Sequence, residues 1–279
     1  MMMTGEENNP TVSVIMPNYN NEKYLPEAIE SILNQTYENF EFIIIDDFST
    51  DTSWNIIQNY AKKDNRIKAF RNEQNLKIVK TRNKGFELMS PNSKYIAIFD
   101  SDDISLPERL EKQVMFLEKN LDYGLIGSHT LIIDESSAII GSRKYETDFK
   151  KIIKNMVKKN QIAQPSAMIG KSVLNEVGHY NEKYTRCQDY ELWFRIAKVF
   201  KIGNLDEFLI KYRVSKTQGK TTNLKETLKF TLDIQKKWLF DKKFFSIFGV
   251  IYYFLEHLMY FLPTNVVLKL FKVLNYEKA

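Results

Sequence analysis

Two apolar runs that end in acids constrain this chain more than any other feature. Tyr95-Ile96-Ala97-Ile98 leads directly into Phe99-Asp100-Ser101-Asp102-Asp103, three carboxylates within four positions. Phe42-Ile43-Ile44-Ile45 leads in the same way into Asp46-Asp47. A short apolar run bounded by polar residues reads as a buried strand, so folding carries both acidic groups to strand carboxyl ends. Open α/β sheets bind their ligands there. Crowded carboxylates repel unless a cation or a donor holds them apart. A solvated acidic turn capping the next helix explains either group alone. Two such strands together suit one site for a metal ion and a diphosphate.

The rest of the first half repeats the theme. Val12 to Met16 reads as a first strand, ended by the turn formers Pro17-Asn18-Tyr19-Asn20-Asn21. A helix follows with Pro26 in its first turn and Ile29, Ile32 and Leu33 at helical spacing. Ser49 or Asp51 is placed to cap a helix carrying Trp54, Ile57 and Tyr60. Ile67–Phe70 reads as a third strand, Ile78–Met89 as a helix and Tyr95–Phe99 as a fourth strand. Ser105-Leu106-Pro107-Glu108 has the form of a capping box. Strand–helix alternation of this kind predicts an α/β fold with a mostly parallel sheet and right-handed crossovers. Beyond Gly124 the alternation weakens. Leu125–Ile133, Pro165–Ile169 and Phe208–Val214 read as strands and Asp189–Ala197 as a helix, and from Leu224 the pattern is helical and aromatic.

Composition narrows the function classes. A chain of 279 residues, 43 % hydrophobic, holds one large α/β domain and an appendage. The single cysteine, Cys187, excludes an intrachain disulfide and fits a reducing, cytoplasmic compartment. Residues 1–10 are polar and read as a disordered start without a secretory h-region. Three scattered histidines and no HExxH argue against a zinc hydrolase. The absence of GxGxxG and of GxxxxGK[ST] argues against dinucleotide and P-loop cradles.

The net charge of +5 is uneven, with ten Lys/Arg against three acids between Lys211 and Lys243. Beside it, Phe244 to Leu262 is rich in Phe, Tyr, Ile and Leu but is interrupted by Glu256 and His257. Its longest apolar run falls far short of the roughly 20 residues of a spanning helix. The segment is expected to lie on an anionic membrane surface, with packing on the main domain or a homodimer contact as the alternatives, rather than to bind nucleic acid.

Four segments carry a family resemblance in order and spacing: Thr11–Asn20 (TVSVIMPNYN), Ile43–Asp51 (IIIDDFSTD), Phe99–Asp103 (FDSDD) and Gln188–Arg195 (QDYELWFR). Together they resemble the inverting family 2 glycosyltransferases of GT-A fold, over roughly residues 11–215, and among them the enzymes of bacterial surface polysaccharide. The resemblance implies a Rossmann-like catalytic domain over 11–215 and a helical, basic and aromatic region over 216–279. It implies a UDP-sugar donor, a glycan or lipid-linked acceptor, and Mn²⁺ or Mg²⁺. Pro17 and Tyr19 then lie at the nucleotide-sugar, with Tyr19 placed to stack on the base, Asp47 accepts from the base N–H, Arg82 meets base or phosphate, and Asp100 meets ribose or sugar. Asp102, with Asp103, holds the metal, and Asp189 is the catalytic base on the acceptor side. Trp193 and Arg195 read as packing and a structural ion pair. The location implied is peripheral, at the inner face of the cell membrane.

Two departures from the family pattern stand out. Phe48 follows Asp46-Asp47 where glycine is frequent, so the turn is expected to adopt a conformation that a bulky residue tolerates. Ser215 stands where many members have histidine, with Lys216 or Lys220 as substitutes. A catalytically silent nucleotide-sugar-binding subunit and a sugar-nucleotidyltransferase are the rival readings. The second lacks its basic, glycine-rich loop after the first strand.

Overall fold

The computed structural model describes residues 11–215, 224–262, 266 and 277–278. Residues 1–10, Lys216 and Lys220 lie outside them. Strand β1 (Val12–Asn18) is buried at every position and runs parallel to β2 (Phe40–Asp46) on one side and β4 (Tyr95–Ile98) on the other. β3 (Ile67–Arg71) continues the parallel set beyond β2. β1 and β2 are covered on both faces and have no solvent side, so apolar residues such as Val14-Ile15-Met16 and Phe42-Ile43-Ile44-Ile45 follow one another without alternation.

The crossovers are α1 (Leu25–Leu33), α2 (Ser53–Ala61) and α3 (Lys77–Leu88). Gly85 seats α3 against the sheet. A Cβ there would come within 2.4 Å of Ile15 Cγ2 and 3.0 Å of Ile45 Cδ1. Arg82, one turn earlier on α3, is thereby held close above the strand ends.

Past β4 the sheet becomes mixed. β5 (Ile104–Ser105) precedes α4 (Arg109–Lys119), which leads into the long strand β6 (Tyr123–Ile133) and its hairpin partner β7 (Ile139–Arg143). α5 (Phe149–Asn155) follows, then a 3₁₀ turn at Gln164–Ser166 and the three-residue β8 (Met168–Gly170). α6 (Lys171–Val177) and α7 (Gln188–Val199) lead to β9 (Lys201–Arg213). β8 lies antiparallel between β4 and β6, while β9 runs parallel to β6 and also pairs with β5. The path is β3-β2-β1-β4-β8-β6-β7-β10, with β10 at Glu277–Lys278. Helices α8 (Leu224–Trp238) and α9 (Ile247–Met259) complete the chain. No helix among the described residues is long and apolar enough to cross a membrane.

Tertiary partners overturn several local expectations. Helix α4 starts at Arg109 without a side-chain cap, so the Ser105–Glu108 capping box does not form. Ser105 belongs to β5 instead, its N–H donating to Ser31 Oγ at 3.0 Å, and the Leu106 N–H donates to Leu209 O at 2.9 Å. Between the two capping candidates for α2, Asp51 accepts from the Ser53 N–H at 3.0 Å, whereas Ser49 Oγ accepts from the Asn20 N–H at 3.0 Å. The strand expected over Pro165–Ile169 is divided between the 3₁₀ turn and β8.

Candidate active site

The carboxyl ends of β1, β2 and β3 are tied to one another by polar contacts. Asn18 O accepts from the Asp47 N–H at 2.8 Å, and Asp46 O accepts from the Asn72 N–H at 2.8 Å. The fully buried Asp46 carboxylate accepts from the Ser49 N–H at 3.0 Å and meets Arg71 Nε at 3.2 Å. Pro17 is the penultimate residue of β1, opposite Ile45, and Tyr19 follows β1 half-exposed.

Phe48 does not avoid the glycine-like conformation as expected. It sits at φ 65°, in the left-handed region, with its ring 5.7 Å from the Arg71 guanidinium. Trp54 flanks the same guanidinium at 5.7 Å. The turn keeps its shape because the bonds on either side of Phe48, from Asn18 O to Asp47 and from Asp46 to Ser49, over-determine it.

Asp47 is buried, and its carboxylate accepts from Asn72 Nδ2 and the Leu76 N–H at 2.8 Å each and from the Lys77 N–H at 2.9 Å. It therefore anchors the start of α3. A carboxylate has about four lone-pair sites, and these contacts use three.

The acidic loop after β4 is braced from two sides. Asn21 Nδ2 donates to Ser101 Oγ at 3.0 Å, joining it to the loop after β1. On the far side stands Arg213, 1 % exposed, at the end of β9. Its Nε donates to Asp102 O at 2.7 Å, its NH1 to Asp134 O at 2.9 Å, and its NH2 to Glu27 Oε2 at 2.6 Å. Asp103, expected beside Asp102 at the ion, is instead buried, with Oδ1 accepting the Arg213 N–H at 2.8 Å. Asp102 keeps a partly exposed position. Among the described residues, no three His, Cys, Asp or Glu side chains converge closely enough to hold a metal by themselves.

Arg82 links this loop electrostatically to Tyr180 and to the start of α7. Its buried guanidinium forms an ion pair with Asp100. Burial pushes Arg82 down, but the charges of Asp100, Tyr180 and Asp189 outweigh it and hold the group above its ordinary pKa. Its Nε, also buried, has no hydrogen-bond partner among the described residues. Burial raises the Tyr180 hydroxyl well above its usual range, opposed by Arg82 and reinforced by Asp189. Asp189 lies in the first turn of α7, where the helix N-terminus favours a carboxylate, and its Oδ2 accepts from Asn160 Nδ2 at 2.7 Å. Gln164 donates to the Tyr180 hydroxyl at 3.0 Å. Asn83 clamps the Tyr180 backbone, with contacts of 2.9 and 3.0 Å to its O and N–H.

Trp193 and Arg195 behave as packing and ion pair. Trp193 is buried, and Arg195 Nε meets Glu191 at 2.9 Å.

Thus Asp100, Arg82 and Asp189 form one electrostatic group, with Asp102 in the same loop as Asp100 and with Pro17 and Tyr19 at the end of the adjacent strand β1. Sequence reasoning missed Asn160, Gln164, Tyr180 and Arg213. Arg213 was visible only as one more cation of the basic run; the other three lie in segments without a periodic pattern.

The model of Glycosyl transferase family 2 matches residues 13–178. An uncharacterized glycosyltransferase of Methanocaldococcus jannaschii is 40% identical over 87% of this chain and 84% of its own length. The O-antigen biosynthesis glycosyltransferase WbnJ of Escherichia coli is 35% identical over 73% of this chain and 79% of its own. Among solved structures, S. aureus TarS 1-349 in complex with UDP-GlcNAc shares 20% identity at a TM-score of 0.60, covering 80% of this chain and 66% of that one. The mannosyltransferase PcManGT from Pyrobaculum calidifontis, in complex with GDP-Man and Mn2+, shares 16% at a TM-score of 0.66, covering 92% and 71%. These structures share the GT-A fold with this chain. With a family model spanning more than half of its length and a relative 40% identical over most of it, the chain belongs to glycosyltransferase family 2.

Proposed function

We propose that the protein moves a sugar from a UDP-sugar to a hydroxyl of a glycan or lipid-linked acceptor, with inversion and with a divalent metal, in surface polysaccharide synthesis at a cytoplasmic membrane face. The catalytic unit is 11–215, and 216–279 serves its location. The observation that carries this reading is the Arg82 guanidinium, paired with Asp100 and within the field of Asp189. A carboxylate suited to the donor sugar and one suited to the acceptor both act on this one guanidinium, which supports the reading.

The hard oxygen donor at Asp102 fits Mg²⁺ or Mn²⁺. Such ions are commonly held by one or two carboxylates together with substrate phosphates, so a three-residue protein cluster is not required. When bound, the ion would neutralise charge on the leaving diphosphate. Arg213 and Asn21 keep the loop that presents Asp102 in place. Tyr19 offers a half-exposed ring to the base, and Asp47 has one acceptor direction left for a base N–H. In the transfer, Asp189, oriented by Asn160, takes the acceptor hydroxyl proton. The freed oxygen bonds the anomeric carbon from the face opposite the diphosphate, whose bond to that carbon breaks.

Asp189→Asn keeps the shape and the Asn160 neighbour but removes proton acceptance. Turnover is expected to fall by roughly 10²–10⁴, with UDP affinity little changed. A UDP-α-sugar should give a β-linked product by NMR. Full activity of the variant, or an α-linked product, overturns the reading. Running UDP-sugars against GDP-mannose identifies the base.

A further inference from the structure

Helix α9 presents a clean division between two faces. Gly249 is buried, and a Cβ there would lie 3.3 Å from Val157 Cβ, next to α5. Glu256, on the same inward side, accepts from Gln235 Nε2 of α8 at 2.5 Å. The other side carries Ile247, Phe248, Ile251, Phe254, Leu255 and Leu258, each between 50 % and 66 % exposed. At 3.6 residues per turn these positions fill an arc of roughly 120°. That is an unbroken apolar stripe on the outside of the molecule.

The aromatics expected to supply this area are only partly the ones that do. Phe244 is fully buried, its ring 5.0 Å from Phe194 and 5.5 Å from Trp238, and Tyr252 and Tyr253 are half-buried. Part of the charge of the basic run is engaged elsewhere. Arg213, counted in the run from Lys211 to Lys243, is buried at the active-site loop, and Lys237 pairs with Glu191 at 3.3 Å. The stripe instead borders the segment 149–160, which has five lysines and no acid. Lys158 Nζ stands 5.5 Å from the Phe248 ring centroid, and Lys150, Lys151, Lys154 and Lys159 are exposed.

From this juxtaposition we infer that the outer face of α9, with Lys158 at its edge and the other exposed lysines of the adjoining segment 149–160, docks on an anionic lipid bilayer, with the helix lying in the interface plane. Charge complementarity selects this occupant. A second copy set stripe to stripe with the two helices antiparallel would oppose one lysine rim to the other. Residues 263–276 carry Lys269 and Lys272 and no acid, so they too are basic. An anionic surface complements the rim, at a strength that salt screens, and its acyl boundary takes the stripe. The inference gives the peripheral location of the proposed function its surface, and it does not depend on which donor is used.

The full chain should float with phosphatidylcholine vesicles that contain phosphatidylglycerol at low salt, and lose most of this binding in phosphatidylcholine alone or at high salt. An Ile251→Asp/Leu255→Asp double variant and a Lys154→Glu/Lys158→Glu double variant should each lower the partition coefficient about tenfold or more. All four positions are at least partly exposed, so melting temperature and the thermal shift given by UDP should persist, which separates failure here from failure of the donor reading. No flotation at low salt on anionic vesicles, or flotation undiminished in both variants, overturns the inference. A parent dimer in light scattering that Ile251→Asp/Leu255→Asp turns into a monomer, with no anionic vesicle binding, would make the face a self-association surface instead.

Discussion

Phe48 shows how much conformational freedom the turn after β2 lacks. An L residue in the left-handed region costs roughly 1–2 kcal/mol, an amount glycine avoids. Against that, glycine loses the ring's contact with Arg71, worth about 0.5–1 kcal/mol at an exposed site, and frees the unfolded chain. Phe48→Gly is therefore expected to lie within about 1 kcal/mol of the parent, because the opposing effects are of similar size. Phe48→Val keeps the strain and adds a β-branch, so it should lose about 1–2 kcal/mol more. Urea melts of the two variants check the order; a Val variant as stable as the Gly variant would show that the turn relaxes. The doubled acid after β2 was legible as a site element, but the conformation of its neighbour was not, because it is imposed by bonds from β1 and from Ser49.

At the scale of elements, the contact between α8 and α9 contains a titrating group. Burial, only partly opposed by the Gln235 hydrogen bond, pushes the Glu256 carboxyl up to about 7. An acid raised in the folded state holds a proton that the unfolded chain releases from about pH 4.5 upward. Stability from this group is then full below about pH 4.5, falls as pH rises to about 7, and stays flat above it. At about 1.4 kcal/mol per pH unit the loss is about 3 kcal/mol. Glu256→Gln should be more stable than the parent at pH 8 by up to about that amount, and close to it at pH 4.5. Thermal melts at the two pH values test this, and an equal difference at both would remove the titration from the account. In the sequence, Glu256 was readable only as an interruption of an apolar run. That it faces inward, and so leaves the opposite stripe unbroken, depends on α9 packing against α8 and Val157.

For the whole molecule, the loops of β1, β2, β4 and β9 meet only when the sheet is complete, so ligand binding and global stability are linked. On the proposed function, UDP with Mn²⁺ at a hundredfold excess over Kd should add about 2.7 kcal/mol, or roughly 5 °C for a chain of this size. EDTA, or Asp102→Ala, should remove the part of that shift due to the metal and leave the part due to UDP. An undiminished shift in Asp102→Ala would take the ion away from this loop. By itself the sequence determined the alternation of strand and helix through Leu110, the acids at the ends of β2 and β4, and Asp189 at the start of an aromatic helix. Those follow from short-range periodicity and from the chemistry of single residue types. Only tertiary structure decided that Asp103 turns inward to Arg213, that Ser105 joins a strand instead of capping α4, and that Asn160 orients Asp189. Each is a pairing between positions 29 to 110 residues apart. No local pattern encodes such a pairing, because both partners satisfy their hydrogen bonds with water until the sheet brings them together.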